Sequence, residues 1–241
     1  MFILGTKIDN ITLSQGLEKA ESFLGDGKQH YIVTPNPEIV LQAKRDGSYR
    51  AILNKADLSI PDGAGLIWAS KALYGRKCLK ERIAGVDFMY EFLRNVEGST
   101  PHIKVLLLGG RNGVAKKAVA NLKKNFQNVK FYALEDIDNA RKDFFINKIY
   151  KPDCVFVGLG APRQEKWIYD NISKYPTVKI AMGVGGSFDF LSGRVRRAPI
   201  VFRTIGMEWF WRLVIQPWRA RRIFNAAIFF PLAVLREKAG F

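Results

Sequence analysis

Asp62 sits in the run IPDGAG (60–65), between a proline and a glycine and just past an apolar β-branched segment. A carboxylate held at such a strand end can accept a proton from a substrate hydroxyl. The same spacing also suits a turn aspartate that caps a helix beginning near Gly65, and both readings stay open. Thr34 and Asn36 flank Pro35 in VTPNP (33–37), where they can bind hydroxyls or cap a helix over 37–46. In GVGGSFDF (183–190), Gly185 and Gly186 next to Asp189 suggest close approach of backbone N–H groups to a ligand, with packing glycines as the alternative. GGRNG (109–113) and GLGAPRQE (158–165) look like phosphate loops or tight turns. Neither is GxGxxG, and neither ends in the GK[ST] of a Walker loop.

No metal or cofactor is expected. His30 and His102 are isolated, and Cys78 and Cys154 lack ligand spacing. The Asp136-Ile137-Asp138 triplet could hold a divalent cation, but acids here fit the first turn of a helix. If a nucleotide diphosphate binds without a metal, another group must neutralise its phosphates. Arg212, Arg219 and Arg222 lie seven and three residues apart, which places them on roughly one helical face. Guanidinium forks there would stabilise developing charge.

The elements around these residues alternate. Strands are predicted at 31–34, 57–60, 104–109, 129–133, 154–160 and 179–185, and helices at 37–46, 65–74, 112–125, 138–150 and 162–173. The strands are continuously apolar, as in a parallel sheet covered on both faces. The fold class is therefore α/β: a Rossmann-like, mostly parallel sheet with helices on both faces. Ligands of such sheets sit beyond the carboxyl ends of the strands, where all five loops fall. After Pro199 the strand rhythm stops. Residues 203–215 read as one amphipathic helix, and Pro217 opens a second that Pro231 interrupts or restarts. Residues 1–193 are thus expected to form the catalytic domain and 194–241 a helical appendage.

Charge divides the chain in the same way. The total is +16, and residues 194–241 hold ten basic and two acidic residues, net +8, nine of the ten being Arg. Trp209, Trp211 and Trp218 lie in the same segment. Indoles and guanidinium groups together suit the boundary of an anionic membrane. A nucleic-acid partner is not expected, because long aliphatics interleave the basic tail. An oxidoreductase is disfavoured by the missing dinucleotide fingerprint. No run reaches the ~20 apolar residues of a spanning helix, and the amino terminus lacks a signal-peptide pattern. With two distant cysteines, a cytoplasmic protein peripheral to the inner face of the membrane is expected. An apolar tail can also close on a second copy in solution, so a homo-oligomer is one further expectation.

Six motifs together resemble one family: TPNPE (34–38), PDGAG (61–65), ERIAGVD (81–87), GLGAPRQE (158–165), GVGGSFDFLSGRVRRAP (183–199) and EWFWRL…PWRARR (208–222). In this order they resemble the WecG/TagA/CpsF glycosyltransferases over essentially the whole chain. The resemblance implies inverting, metal-independent transfer of N-acetylmannosamine from its UDP donor to N-acetylglucosaminyl-diphospho-undecaprenol, an early step of wall teichoic acid synthesis. The related uronic acid donor is the alternative. It implies Asp62 as general base, Thr34, Asn36, Arg82 and Gln164 as substrate contacts, and Arg212, Arg219 and Arg222 as a closure over the nucleotide.

Overall fold

Side-chain alternation along the central strands sorts the core into two layers. The computed structural model describes residues 1–99, 102–136, 141–204 and 206–240, with the side chains of Arg203, Thr204, Arg212, Arg219 and Arg221 outside that description. In chain order the elements are β1 (Phe2–Ile3), β2 (Thr6–Lys7), α1 (Leu13–Ser22), β3 (His30–Val33), α2 (Pro37–Arg45), α3 (Gly47–Asn54), β4 (Leu58–Ser59), α4 (Ala64–Tyr74) and α5 (Gly85–Ser99). The middle of the chain gives β5 (Lys104–Gly109), α6 (Val114–Asn125), β6 (Lys130–Leu134), α7 (Lys142–Phe144), β7 (Cys154–Gly158), α8 (Arg163–Asn171), β8 (Ile180–Gly183) and α9 (Ser187–Leu191). The last quarter is helical: α10 (Ile200–Thr204), α11 (Glu208–Ile215), α12 (Ala220–Phe224) and α13 (Phe230–Lys238).

Six strands form one sheet in the order β4-β3-β8-β7-β5-β6, and every pairing is parallel. Ile32, Val105, Leu107, Phe156, Ile180 and Met182 face the layer containing α1, α5 and α6. Their neighbours Tyr31, Val33, Leu106, Leu108, Val155 and Ala181 face the layer of α2, α3 and α8. A two-residue side-chain period buried on both faces explains why the runs read as continuously apolar. All six strands point one way, so the loops after β3, β4, β5, β7 and β8 share one edge. The strand order reverses between β3 and β8, which is where such sheets open a crevice.

A third apolar cluster lies outside the sheet. Ile3, Leu4 and Ile8 of the small β1–β2 hairpin pack with Val40, Leu41, Leu66 and Ala69, and with Phe230 and Val234 of α13. The last helix is thus built into the core. The expected helix over 203–215 is instead two, α10 and α11, broken about Gly206, whose φ of +76° a helix cannot hold. A short 3-10 turn, Pro217–Arg219, and a π-helical turn, Asn225–Phe229, join α11, α12 and α13 into a nearly continuous rod, with Pro231 in the first turn of α13. Residues 137–140 of the expected 138–150 helix lie outside the described residues, and the remainder of that span holds the short α7 and a π-helical turn, Phe145–Tyr150.

Candidate active site

The loop after β3 is a helix start assembled from local chemistry. Asn36 has extended backbone, and its Oδ1 accepts from the amides of Glu38 and Ile39, both at 3.0 Å. Pro37 follows at the first helical position, where its missing N–H costs nothing. The capping alternative therefore holds for the Asn36 oxygen. Thr34 is buried and donates its hydroxyl to the Gly183 carbonyl at 3.1 Å, which ties the ends of β3 and β8 together across the crevice.

Gln164 is 2% exposed. Its Oε1 accepts from the Gly185 amide at 2.9 Å, and its Nε2 donates to Glu165 Oε1 at 2.7 Å. The hydroxyl of Tyr49, from α3, donates to Glu165 Oε2 at 3.0 Å. Glu165 has no exposed surface, and burial pushes its carboxyl above its ordinary value of 4.5 against those hydrogen bonds. Burial likewise pushes the Tyr49 phenol up, with Glu165 adding to it. The two open readings of the glycines divide here. A Cβ on Gly158 would meet Phe188 at 2.5 Å and one on Gly183 would meet Gln164 at 2.9 Å, so these two are packing glycines. At Gly185 the nearest atom is Gln164 Oε1 at 4.0 Å, which leaves room on the cleft side.

Asp62 does not cap α4. The cap position is Gly63, at φ +113°, and α4 has no side-chain cap bond. The Asp62 amide is held by the Pro35 carbonyl at 2.9 Å, and its Oδ2 lies 3.4 Å from the Gly85 amide at the start of α5. The carboxylate therefore faces the positive end of a helix at the mouth of the crevice. Arg197, from GRVRRAP, grips Asp87 with both terminal nitrogens, Nη2 to Oδ2 at 2.8 Å. That contact, then burial and the nearby Glu208 and Asp62, shape the guanidinium, whose affinity for its proton is raised overall. Arg82 donates to Glu208 Oε2 at 2.7 Å and so joins the 81–87 loop to α11.

Glu135 overturns a different expectation. Its carboxylate accepts from the amides of Gly113 at 2.9 Å and Ala115 at 2.8 Å. The GGRNG turn therefore already holds an anion of its own at the start of α6, as a phosphate would be held. The acids near 136 do not open a helix: α7 begins at Lys142 without a side-chain cap, and Asp138 lies outside the described residues. Among the described residues, no three His, Cys, Asp or Glu side chains converge as metal ligands.

These pieces enclose one cleft of about 530 Å³. Thr34, Asn36, Asp62, Gln164, Gly185, Gly186, Asp189 and Arg222 all line it. Arg82 does not, since its partner Glu208 takes that wall. Arg222 reaches the cleft from α12 and bonds Glu38 Oε1 through Nε at 2.6 Å. The side chains of Arg212 and Arg219 lie outside the described residues, though α11 and the turn after it carry their backbones.

A family model described as the WecG/TagA/CpsF glycosyl transferase family matches residues 1–241. The chain belongs to this family. An N-acetylglucosaminyldiphosphoundecaprenol N-acetyl-beta-D-mannosaminyltransferase of Staphylococcus aureus (strain MRSA252) is 35% identical over 231 residues, covering 94% of this chain and 89% of the relative. The protein of the same name from strain NCTC 8325 / PS 47 is 34% identical over the same spans. The chain is thus a glycosyltransferase of the WecG/TagA/CpsF family, on an α/β Rossmann-like fold. Its cleft also holds residues that motif reading passed over. Glu38 and Glu208 line the wall, and Arg197–Asp87 and Tyr49–Glu165 brace it from behind. Arg197, Asp87, Glu38 and Glu165 all stand inside quoted motifs; Tyr49 carries no local signal at all.

Proposed function

We propose that the chain transfers N-acetylmannosamine from UDP-N-acetylmannosamine to N-acetylglucosaminyl-diphospho-undecaprenol, with inversion and without a metal. One observation carries this reading: a single cleft holds Asp62 from the first sheet loops and Arg222 from the last quarter of the chain. Asp62 accepts the proton as the O–H bond of the acceptor's 4-hydroxyl breaks. The freed oxygen bonds to the anomeric carbon on the face opposite UDP. The bond from that carbon to the UDP oxygen breaks, and its electron pair leaves on the diphosphate. Thr34, Asn36, Gln164 and the Gly185–Gly186 turn orient the sugars.

The leaving diphosphate needs cations, and the sheet domain alone is poor in them. Up to residue 193 the described cleft wall offers Glu38, Asp62, Glu135, Asp136 and Asp189 against Arg111 and Arg163. Arg194 and Arg222 come from the appendage. Arg212 and Arg219 share its spacing, and together these groups would stabilise the charge that develops as UDP departs. The other face of the appendage exposes Trp209, Trp218, Phe229 and Leu232, which fits docking on the cytoplasmic leaflet that carries the acceptor. Among the described residues, no helix is long and apolar enough to cross a membrane.

The test is turnover of UDP-N-acetylmannosamine with a lipid-linked GlcNAc acceptor in EDTA, for the parent chain and Asp62→Asn. The parent is expected to be fully active and Asp62→Asn inactive, with UDP affinity within about twofold of the parent. An Asp62→Asn chain of undiminished rate removes the base from the scheme, and collapse in EDTA removes metal independence. Preference for the uronic acid donor would move the substrate, not the reaction class.

A further inference from the structure

Beside the nucleotide cleft a second hollow, of about 440 Å³, opens between the start of α4 and the rod of α12 and α13. The two hollows share Asn36, Glu38, Asp62, Glu208 and Arg222, so they are continuous at the carboxylate. The character of the wall changes along it. Asp62, Arg82 and Arg222 are its charged members nearest the sugar, with Glu38 and Glu208 beside the two guanidinium groups. Trp68, Trp209, Ile223, Ala226, Ala227 and Pro231 make the far end apolar. Trp68 and Trp209 are both more than two-fifths exposed, on an otherwise unfilled face. A molecule that fits such a gradient has a hydroxyl, then anionic phosphate, then hydrocarbon.

We propose that this groove binds the head-proximal isoprene units of the acceptor's polyprenyl chain. Resting on the proposed function, it assigns the lipid of that acceptor a site on the protein. The sugar hydroxyl faces Asp62. The diphosphate lies by Arg82 and Arg222, whose guanidinium groups carry five donors each and can take phosphate oxygens beside Glu208 and Glu38. The first isoprene units run along Trp68, Trp209 and Ala227. The groove is of ligand size and holds only the start of the chain, so the rest stays in the bilayer. The enzyme thereby reads its acceptor as a lipid before the sugar reaches the base.

The experiment uses GlcNAc-diphosphate acceptors carrying one, two or three isoprene units, each below its critical micelle concentration, with saturating sugar nucleotide and no vesicles. For the parent chain, acceptor KM should fall by at least about tenfold across the series as apolar surface is buried, while kcat moves less. Ala227→Trp fills the groove from an exposed position and should flatten the series to within about twofold. Trp68→Ala removes the opposite wall and should flatten it too, which guards against a misfolded first variant; thermal midpoints check both. Equal KM for all three acceptors in the parent overturns the groove and leaves the glycosyl transfer standing. A steep series surviving in both variants also overturns it, placing the chain elsewhere on the protein. No turnover of any acceptor by the parent overturns the proposed function, and the groove's occupant with it.

Discussion

Glu165 shows how a single residue can carry the cleft without lining it. Its two oxygens accept from Gln164 and Tyr49, and Gln164 in turn fixes the Gly185 amide. Because burial raises its pKa, the folded chain keeps a proton there over a range in which the unfolded chain has lost it. The stability this group contributes is fully present below pH 4.5 and is lost as pH rises through the elevated folded value. Glu165→Gln imitates the protonated form: its oxygen accepts from Gln164, and its amide donates to the Tyr49 oxygen. Denaturant unfolding from pH 4.5 to about 8 should show Glu165→Gln gaining on the parent by about 1.4 kcal/mol per pH unit until the parent's group has ionised. A difference that does not change with pH would mean that Glu165 holds one protonation state throughout. Glu165→Ala is expected to cost about 1–3 kcal/mol for each partner it orphans, whatever the pH.

At the scale of elements, apolar runs of four to six residues were enough to place all six sheet strands, because burial on both faces leaves no other pattern. The helices α1, α3 and α5 escaped, and α1 shows the physical reason. Gly16 in its middle argues against a helix on propensity, yet a Cβ there would meet Phe88 of α5 at 3.0 Å. Close packing of two helices, invisible locally, outweighed the local cost. Likewise Glu135 caps a helix some twenty residues earlier in the chain, a pairing that only β6 lying beside β5 creates. Asp62, Gln164 and the Gly185 turn were legible because strand ends on one sheet edge must converge. The place of α13 was not: its residues look like an apolar tail, and only the fold shows Phe230 fully buried against the β1–β2 hairpin and α4. Phe230→Ala is therefore expected to cost about 3–5 kcal/mol, read by denaturant unfolding, with hydrogen exchange accelerating in α13 and α4 together. A variant as stable as the parent, with α13 still protected, would show that the helix is held by other contacts. The same packing means that ending the chain at Ser192 would uncover Leu66 and Val40 as well as remove arginines, so point variants separate the roles more cleanly.

For the whole molecule, the question is why one segment carries half of a +16 charge and also so much exposed hydrocarbon. Arg194, Arg196 and Arg236 border exposed Ile200, Val201, Leu235 and Trp218 in that segment, the last at 74%. In water alone this combination is a liability, because apolar patches of this kind recruit partners. Against an anionic bilayer both halves become favourable. Each guanidinium near the surface contributes about 1 kcal/mol, within a screening length of about 8 Å at physiological salt, and an indole settles at headgroup level. Sedimentation with vesicles should therefore show the intact chain bound when anionic phospholipid is present and mostly free when it is absent, with binding weakened as salt rises. Trp218→Ser lies outside both hollows and should lower vesicle affinity severalfold while a short-chain soluble acceptor is still turned over at the parent rate. Loss of turnover in that assay would mean that Trp218 serves the cleft. Unchanged vesicle affinity would turn the exposed face toward a second copy of the chain, where a mass that falls on dilution, and falls sooner for Trp218→Ser, would be the sign. The two partners compete for one surface, so vesicles should also dissociate any oligomer, and that competition decides which contact the sequence was shaped to make.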